Sequence, residues 1–184
     1  MDADPVYIQT LEAYADTIVP GEKRSPDDRA IAGIVEGPGS VQAGALEVLH
    51  HSAPGIDAGL PVLVGMLNAH ATNYAQERGI ELDDTVPPFV SLAYEHRYAL
   101  VGILTAPGHP EKSGWVLMAL FCNMAFDSAP HKHTAEAIAE GHPGLLTLGF
   151  KKPNEDGIWR FKEHGYRQVL AKTHPNTTES GSPA

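Results

Sequence analysis

Residues 114–126 read GWVLMALFCNMAF, thirteen in a row without a charge. A helix must carry about 20 apolar residues to span a bilayer, so this run is too short to do so. It therefore has to be buried by the rest of its own chain or by a partner. Helix-breaking TAPGHP precedes it and DSAP follows it, which predicts a helix over about Lys112–Phe126. Being apolar all round, it is expected to be a central, buried helix.

The remaining segments supply helices to surround it. Val6–Val19 carries Ile8, Leu11, Tyr14 or Ala15, and Ile18 at helical spacing, with Asp4-Pro5 as cap and first-turn proline. A short helix is expected from Pro26 with Ser25 as its cap, and another from Ser40 through Leu49. Ile56–Arg78 is the clearest, with Leu60, Leu63, Leu67, Ala71 and Tyr74 on one stripe and Gly79 just past its end. Phe89–Leu104 reads as one helix, and Thr134–Glu140 as a short one ending at Gly141. No period-2 strand and no internal repeat occurs.

The expected fold is all-α, five to six helices around the central apolar one. Residues 1–174 would form a single helical domain, and 175–184 a disordered tail. The segment from His142 to Pro175 is rich in Gly, Pro and aromatics and lacks a period. It is expected as an irregular arm wrapped over the helices and anchored by Leu145, Leu148, Phe150, Trp159, Phe161 and Tyr166.

Charge and motif content exclude several functions. The 184-residue chain has a net charge of −10 and no basic patch, so it is not expected to bind nucleic acid. Its opening, MDADPVYIQTLEAYADTIVPG, shows no basic or apolar leader pattern, and the expectation is a cytoplasmic protein without membrane contact. The only cysteine, Cys122, lies in the most apolar run, where a thiolate would be destabilised. No CxxC, HExxH, G-x-S-x-G or glycine-rich phosphate loop is found.

The ten histidines are what remain. His70 follows Leu67 by three on the buried stripe of its helix, and His96 stands four after Leu92 and four before Leu100. Asn123 and Asp127 are four apart and share a helical face. Packed antiparallel, these helices would let His70, His96, Asn123 and Asp127 line one internal pocket able to do acid–base or metal-assisted chemistry. The plainer reading makes His70 and His96 core histidines satisfied by hydrogen bonds. His131 and His133, in HKHT, are candidate metal ligands if that segment is extended, because in a helix they would point about 200° apart. The plainer reading places them at a helix start in water.

The motif LEAYADTIVPG, Leu11–Gly21, resembles the opening of the small subunit of gluconate 2-dehydrogenase, the subunit 3 family, in which a first helix runs into a D-x-I/V-x-P-G turn. AFDSAPHKHTAEAIAEGHPGLLTLGF and GIWRFKEHGYRQVLAKTHP look like the recurring C-terminal segments of a bacterial subgroup of that family. The resemblance implies a helical, non-catalytic accessory subunit with no cofactor of its own. Its partner would be a flavoprotein carrying FAD, an oxidoreductase of the glucose–methanol–choline type that it helps to fold or stabilise. Relatives commonly carry a twin-arginine signal, and no such pattern stands at the start of this sequence, which points to a stabilising role. The resemblance carries no catalytic residues over. The alternative is a stand-alone enzyme acting on an apolar small molecule, in the manner of secondary metabolism, through the His/Asn/Asp pocket.

Overall fold

A computed structural model describes residues 4–51, 55–152 and 154–155. The chain divides into two compact units, Met1–Phe150 and Lys151–Ala184, and every described helix belongs to the first. Trp159, Phe161, Tyr166 and the tail 175–184 lie outside the described residues.

The fold is all-α, and no strand occurs among the described residues. The elements are α1 (Pro5–Ile18), α2 (Ala45–Leu49), a 3-10 turn (Asp57–Gly59), α3 (Leu60–Arg78), α4 (Pro88–Ser91), α5 (Tyr94–Leu104), α6 (Lys112–Asp127), α7 (Thr134–Glu140) and α8 (Pro143–Thr147). The central position belongs to α1, which packs against α2, α3, α4, α5 and α6. Every residue from Thr10 to Thr17 is buried. Asp4 starts α1 by accepting the Val6 amide at 3.0 Å. Tyr14, fully buried, lies tilted against the rings of Phe89 and Trp115 and donates its hydroxyl to the Trp115 carbonyl at 2.7 Å, fastening α1 to α6. Burial holds that hydroxyl far above its ordinary titration range.

The apolar run does form the expected helix, α6, but it is not buried all round. Trp115, Met118, Cys122 and Ala125 face inward at 1% exposure or less, whereas Val116 (41%), Leu117 (37%) and Leu120 (49%) face solvent. With the centre taken by α1, α6 has neighbours on one side, α1, α2, α5 and α8. The Cys122 thiol is pushed up to about 12 by burial, as its surroundings in the sequence imply.

Three expected helices changed, each where side chains or turns bond the backbone that a helix would have used. No helix forms at Pro26: Asp28 accepts the Ile31 amide and pairs with Arg24, holding the segment as turns. Residues 40–44 are turns, and α2 starts only at Ala45, after Gly44 at φ 90°. The helix expected over Phe89–Leu104 breaks at Leu92, which is extended (φ −65°, ψ 136°). The buried Arg97 guanidinium takes the carbonyls of Val90 and Leu92 (2.8 Å to Leu92), together with those of Ala30 (2.6 Å) and Arg29 (3.1 Å). It thereby ties the α4–α5 corner to the loop after α1.

The D-x-I-x-P-G motif is explained by one carboxylate. Asp16, 1% exposed, accepts the Gly21 amide with one oxygen (3.0 Å) and the Ala32 amide with the other (2.8 Å). The chain passes Gly39 so closely there that a Cβ on Gly21 would lie 2.4 Å from the Gly39 nitrogen. In the C-terminal part of this unit, Leu145 is buried with Ala129, Ala137 and Ile138 in a small core of its own, and α8 replaces part of the expected irregular arm. Leu148 (52%) and Phe150 (44%), expected as anchors, are exposed.

Candidate functional site

His70 projects from α3 toward the N-terminus of α6. Its Nε2 lies 2.8 Å from Glu111 Oε2, and both side chains are about one-third exposed. The same Glu111 oxygen accepts the Trp115 indole N–H at 3.2 Å, one helical turn on. His70 meets the Trp115 ring edge-on at 6.0 Å between centroids, and the His109 ring at 5.9 Å. His109 Nδ1 accepts the Glu111 amide at 3.2 Å, so the lone pair of a neutral His109 stands on the Glu111 side. One ligand atom from each of His70, His109 and Glu111 lies within 4.8 Å of the others. The bond from His70 holds the Glu111 carboxyl below its ordinary range, with the Trp115 bond adding to the effect.

His96 belongs to a different set. Its Nδ1 stands 3.3 Å from the Tyr74 hydroxyl, and the two rings meet edge-on. Asn123 is exposed, not buried, and donates to Asp127 at 2.9 Å along α6. The four residues expected to share one internal pocket therefore fall into three separate hydrogen-bonded sets. Neither the cleft beside His131 nor the cleft beside Arg24 includes any of the four.

His131 and His133 part ways. His133 is exposed and stands at the N-cap of α7 without a capping bond from its side chain. His131 turns inward against α2, where a Cβ on Gly44 would be 2.7 Å from its Nε2. It lies 6.0 Å ring to ring from His142. Its Nδ1 is buried and has no hydrogen-bond partner, and burial pushes the imidazole's pKa down while Glu47 pulls it back. A cleft of about 240 Å³ opens here, lined by Glu47, His131, Lys132, Glu140 and His142 among others. His142 is satisfied at both nitrogens, with Nε2 donating to the Ala43 carbonyl (2.9 Å) and Nδ1 accepting the Leu145 amide (3.3 Å). The GHPG turn thus caps α8 and moors it to the loop before α2. The cleft beside Arg24, of about 350 Å³, is lined by Glu12, Arg24, Asp28 and neighbours, and the charges of these three already pair with one another.

His109 and Glu111 were not singled out in the sequence, where GHPEK reads only as a breaker. The local signal was present, since His109 and Glu111 are separated by one residue just as His131 and His133 are. The return of α3 to the start of α6 was not visible.

Fold and site together define an all-α protein with a partly exposed histidine–carboxylate cluster at the start of its most apolar helix. No helix among the described residues is long and apolar enough to cross a membrane. The chain belongs to a family of unknown function, DUF5987, whose model matches residues 5–184. No curated protein and no solved structure matches it.

Proposed function

We propose that the protein is a non-catalytic accessory subunit that stabilises a flavin-dependent oxidoreductase of the glucose–methanol–choline type. The observation that carries this reading is the solvent face of α6. Val116, Leu117 and Leu120 stand side by side on it, each more than one-third exposed, in the longest apolar run of the sequence. Scattered single apolar side chains on a surface are ordinary, but three on one helical face form a patch of the kind that partners cover. The resemblance of Leu11–Gly21 to the small subunit's opening motif supports the choice of partner. The buried Asp16 that closes the turn gives that motif a physical reason. The reading as a stand-alone enzyme needed His70, His96, Asn123 and Asp127 in one cavity, and their three separate bonding sets give it no support.

Co-expression with a flavin-dependent dehydrogenase of the glucose–methanol–choline type tests the proposal. The pair is expected to copurify and to raise the yield of FAD-loaded partner, and Leu117→Asp with Leu120→Asp is expected to abolish both while leaving the isolated chain folded. Copurification unaffected by the double substitution, or a partner equally stable without this chain, would refute it.

A further inference from the structure

The cluster of His70, His109 and Glu111 is not explained by an accessory role. We propose that it binds one divalent first-row transition-metal ion, with the two imidazoles and the carboxylate as ligands. This goes beyond the proposed function and stands or falls separately from it.

The ligand chemistry selects the ion class. Two imidazole nitrogens and one carboxylate oxygen suit zinc, iron(II), cobalt or nickel, whereas magnesium and calcium favour all-oxygen sites. Metal–ligand bonds of about 2.0–2.2 Å put neighbouring donors roughly 3–3.4 Å apart. His70 and Glu111 are already close to that spacing, with Nε2 and Oε2 2.8 Å apart. The third donor lies within 4.8 Å of both and sits on His109, in the short connection between α5 and α6. Closing the site therefore asks for a shift of at most about 1.5–2 Å in a loop side chain, not for movement of a helix. His109 Nδ1 accepts one neutral bond, from the Glu111 amide at 3.2 Å; coordination through Nδ1 would replace that bond, and coordination through Nε2 would leave it in place.

The support around the ligands distinguishes this group from a surface ion pair. Trp115 is fully buried, its carbonyl is held by Tyr14, and its indole N–H fixes the Glu111 oxygen that faces His70. Metal ligands are commonly oriented by such outer partners. Partial exposure of His70 and Glu111 leaves coordination positions for water or an added ligand, as in sites with three protein ligands.

Trp115 also provides the readout. The chain has two tryptophans, and Trp159→Phe leaves Trp115 alone beside the cluster. Titration of that variant with Co²⁺ is expected to give saturable quenching of Trp115 fluorescence that Zn²⁺ reverses. Equilibrium dialysis of the unaltered chain with Zn²⁺ is expected to give one ion per chain. His109→Ala and Glu111→Gln should each weaken binding at least about 10-fold, the scale on which even outer-shell losses act. His131→Ala with His133→Ala should leave it unchanged. His109 is a half-exposed loop residue, so His109→Ala decides the matter even if the Glu111 variant is unstable. Absence of saturable quenching, or binding that survives in His109→Ala, would overturn the proposal, the latter by placing the ion on other histidines.

Discussion

Replacing Arg97 by methionine tests how the α4–α5 corner is built. Arg97 is 4% exposed, and its guanidinium donates to the carbonyls of Arg29, Ala30, Val90 and Leu92. Methionine keeps much of the volume and removes every donor. A buried acceptor stripped of its partner costs about 1–3 kcal/mol, and the four losses overlap because a little water follows the missing group. Bonds to a charged donor are worth about 1.5–3 kcal/mol each, so with that overlap a total of about 3–5 kcal/mol is expected here. It is a large part of a total stability of about 5–15 kcal/mol. At about 2–4 °C per kcal/mol for a chain of this size, the melting temperature should fall by roughly 6–20 °C. Arg97→Lys should lie in between, since an ammonium keeps the charge but cannot span four carbonyls. Urea unfolding followed by far-UV circular dichroism measures both. If Arg97→Met unfolds within about 1 kcal/mol of the parent, the carbonyl cluster is not what holds the corner, and the reasoning fails.

Two further substitutions probe other joints. Gly144→Ala would put a Cβ 2.0 Å from the Phe126 carbonyl oxygen, so α8 must back away from α6; a loss of about 2 kcal/mol or more is expected in thermal melts. Asp16→Asn keeps one acceptor for the Gly21 and Ala32 amides but turns an NH₂ toward the other, costing about 1–3 kcal/mol by urea titration near neutral pH. The pH dependence has a definite sign. Burial raises the Asp16 carboxyl above its usual 3.8, although the two amides and Arg97 oppose the shift. The contribution of this carboxyl is therefore greatest below 3.8 and declines as pH rises through the raised value. That slope should vanish in Asp16→Asn, and an unchanged slope would assign it to another group.

Legible in the sequence was whatever depends on neighbours a few residues apart. The stripe Leu60–Tyr74 with Gly79 after it marked α3 almost to its ends, and the apolar run marked α6, because periodicity and breakers are local. The break at Leu92 was hidden because its cause, Arg97, satisfies carbonyls both before it and far away at positions 29 and 30. The site followed the same division. His70 was singled out for its place on a helical face, but its partner Glu111 is 41 residues on, and only packing brings them together. The expectation of a pocket-lining Asn123 failed for a related reason. An apolar sequence all round a helix does not say which side its neighbours occupy, and the centre was taken by α1.

The geometry of α6 separates the two proposals made for it. At about 100° per residue, Trp115 and Cys122 lie within about 40° of the direction of Glu111, whereas Val116, Leu117 and Leu120 centre about 180° away. The burial pattern agrees, with Trp115 and Cys122 at 0% and the other three exposed. A partner covering the apolar face would therefore sit on the side of the rod opposite the direction of the Glu111 carboxylate. Substitution of Leu117 and Leu120 should weaken partner binding without touching metal affinity, and His109→Ala should do the reverse. If either substitution moved both measurements, the two faces would not be independent, and a single site spanning the start of α6 would have to replace them.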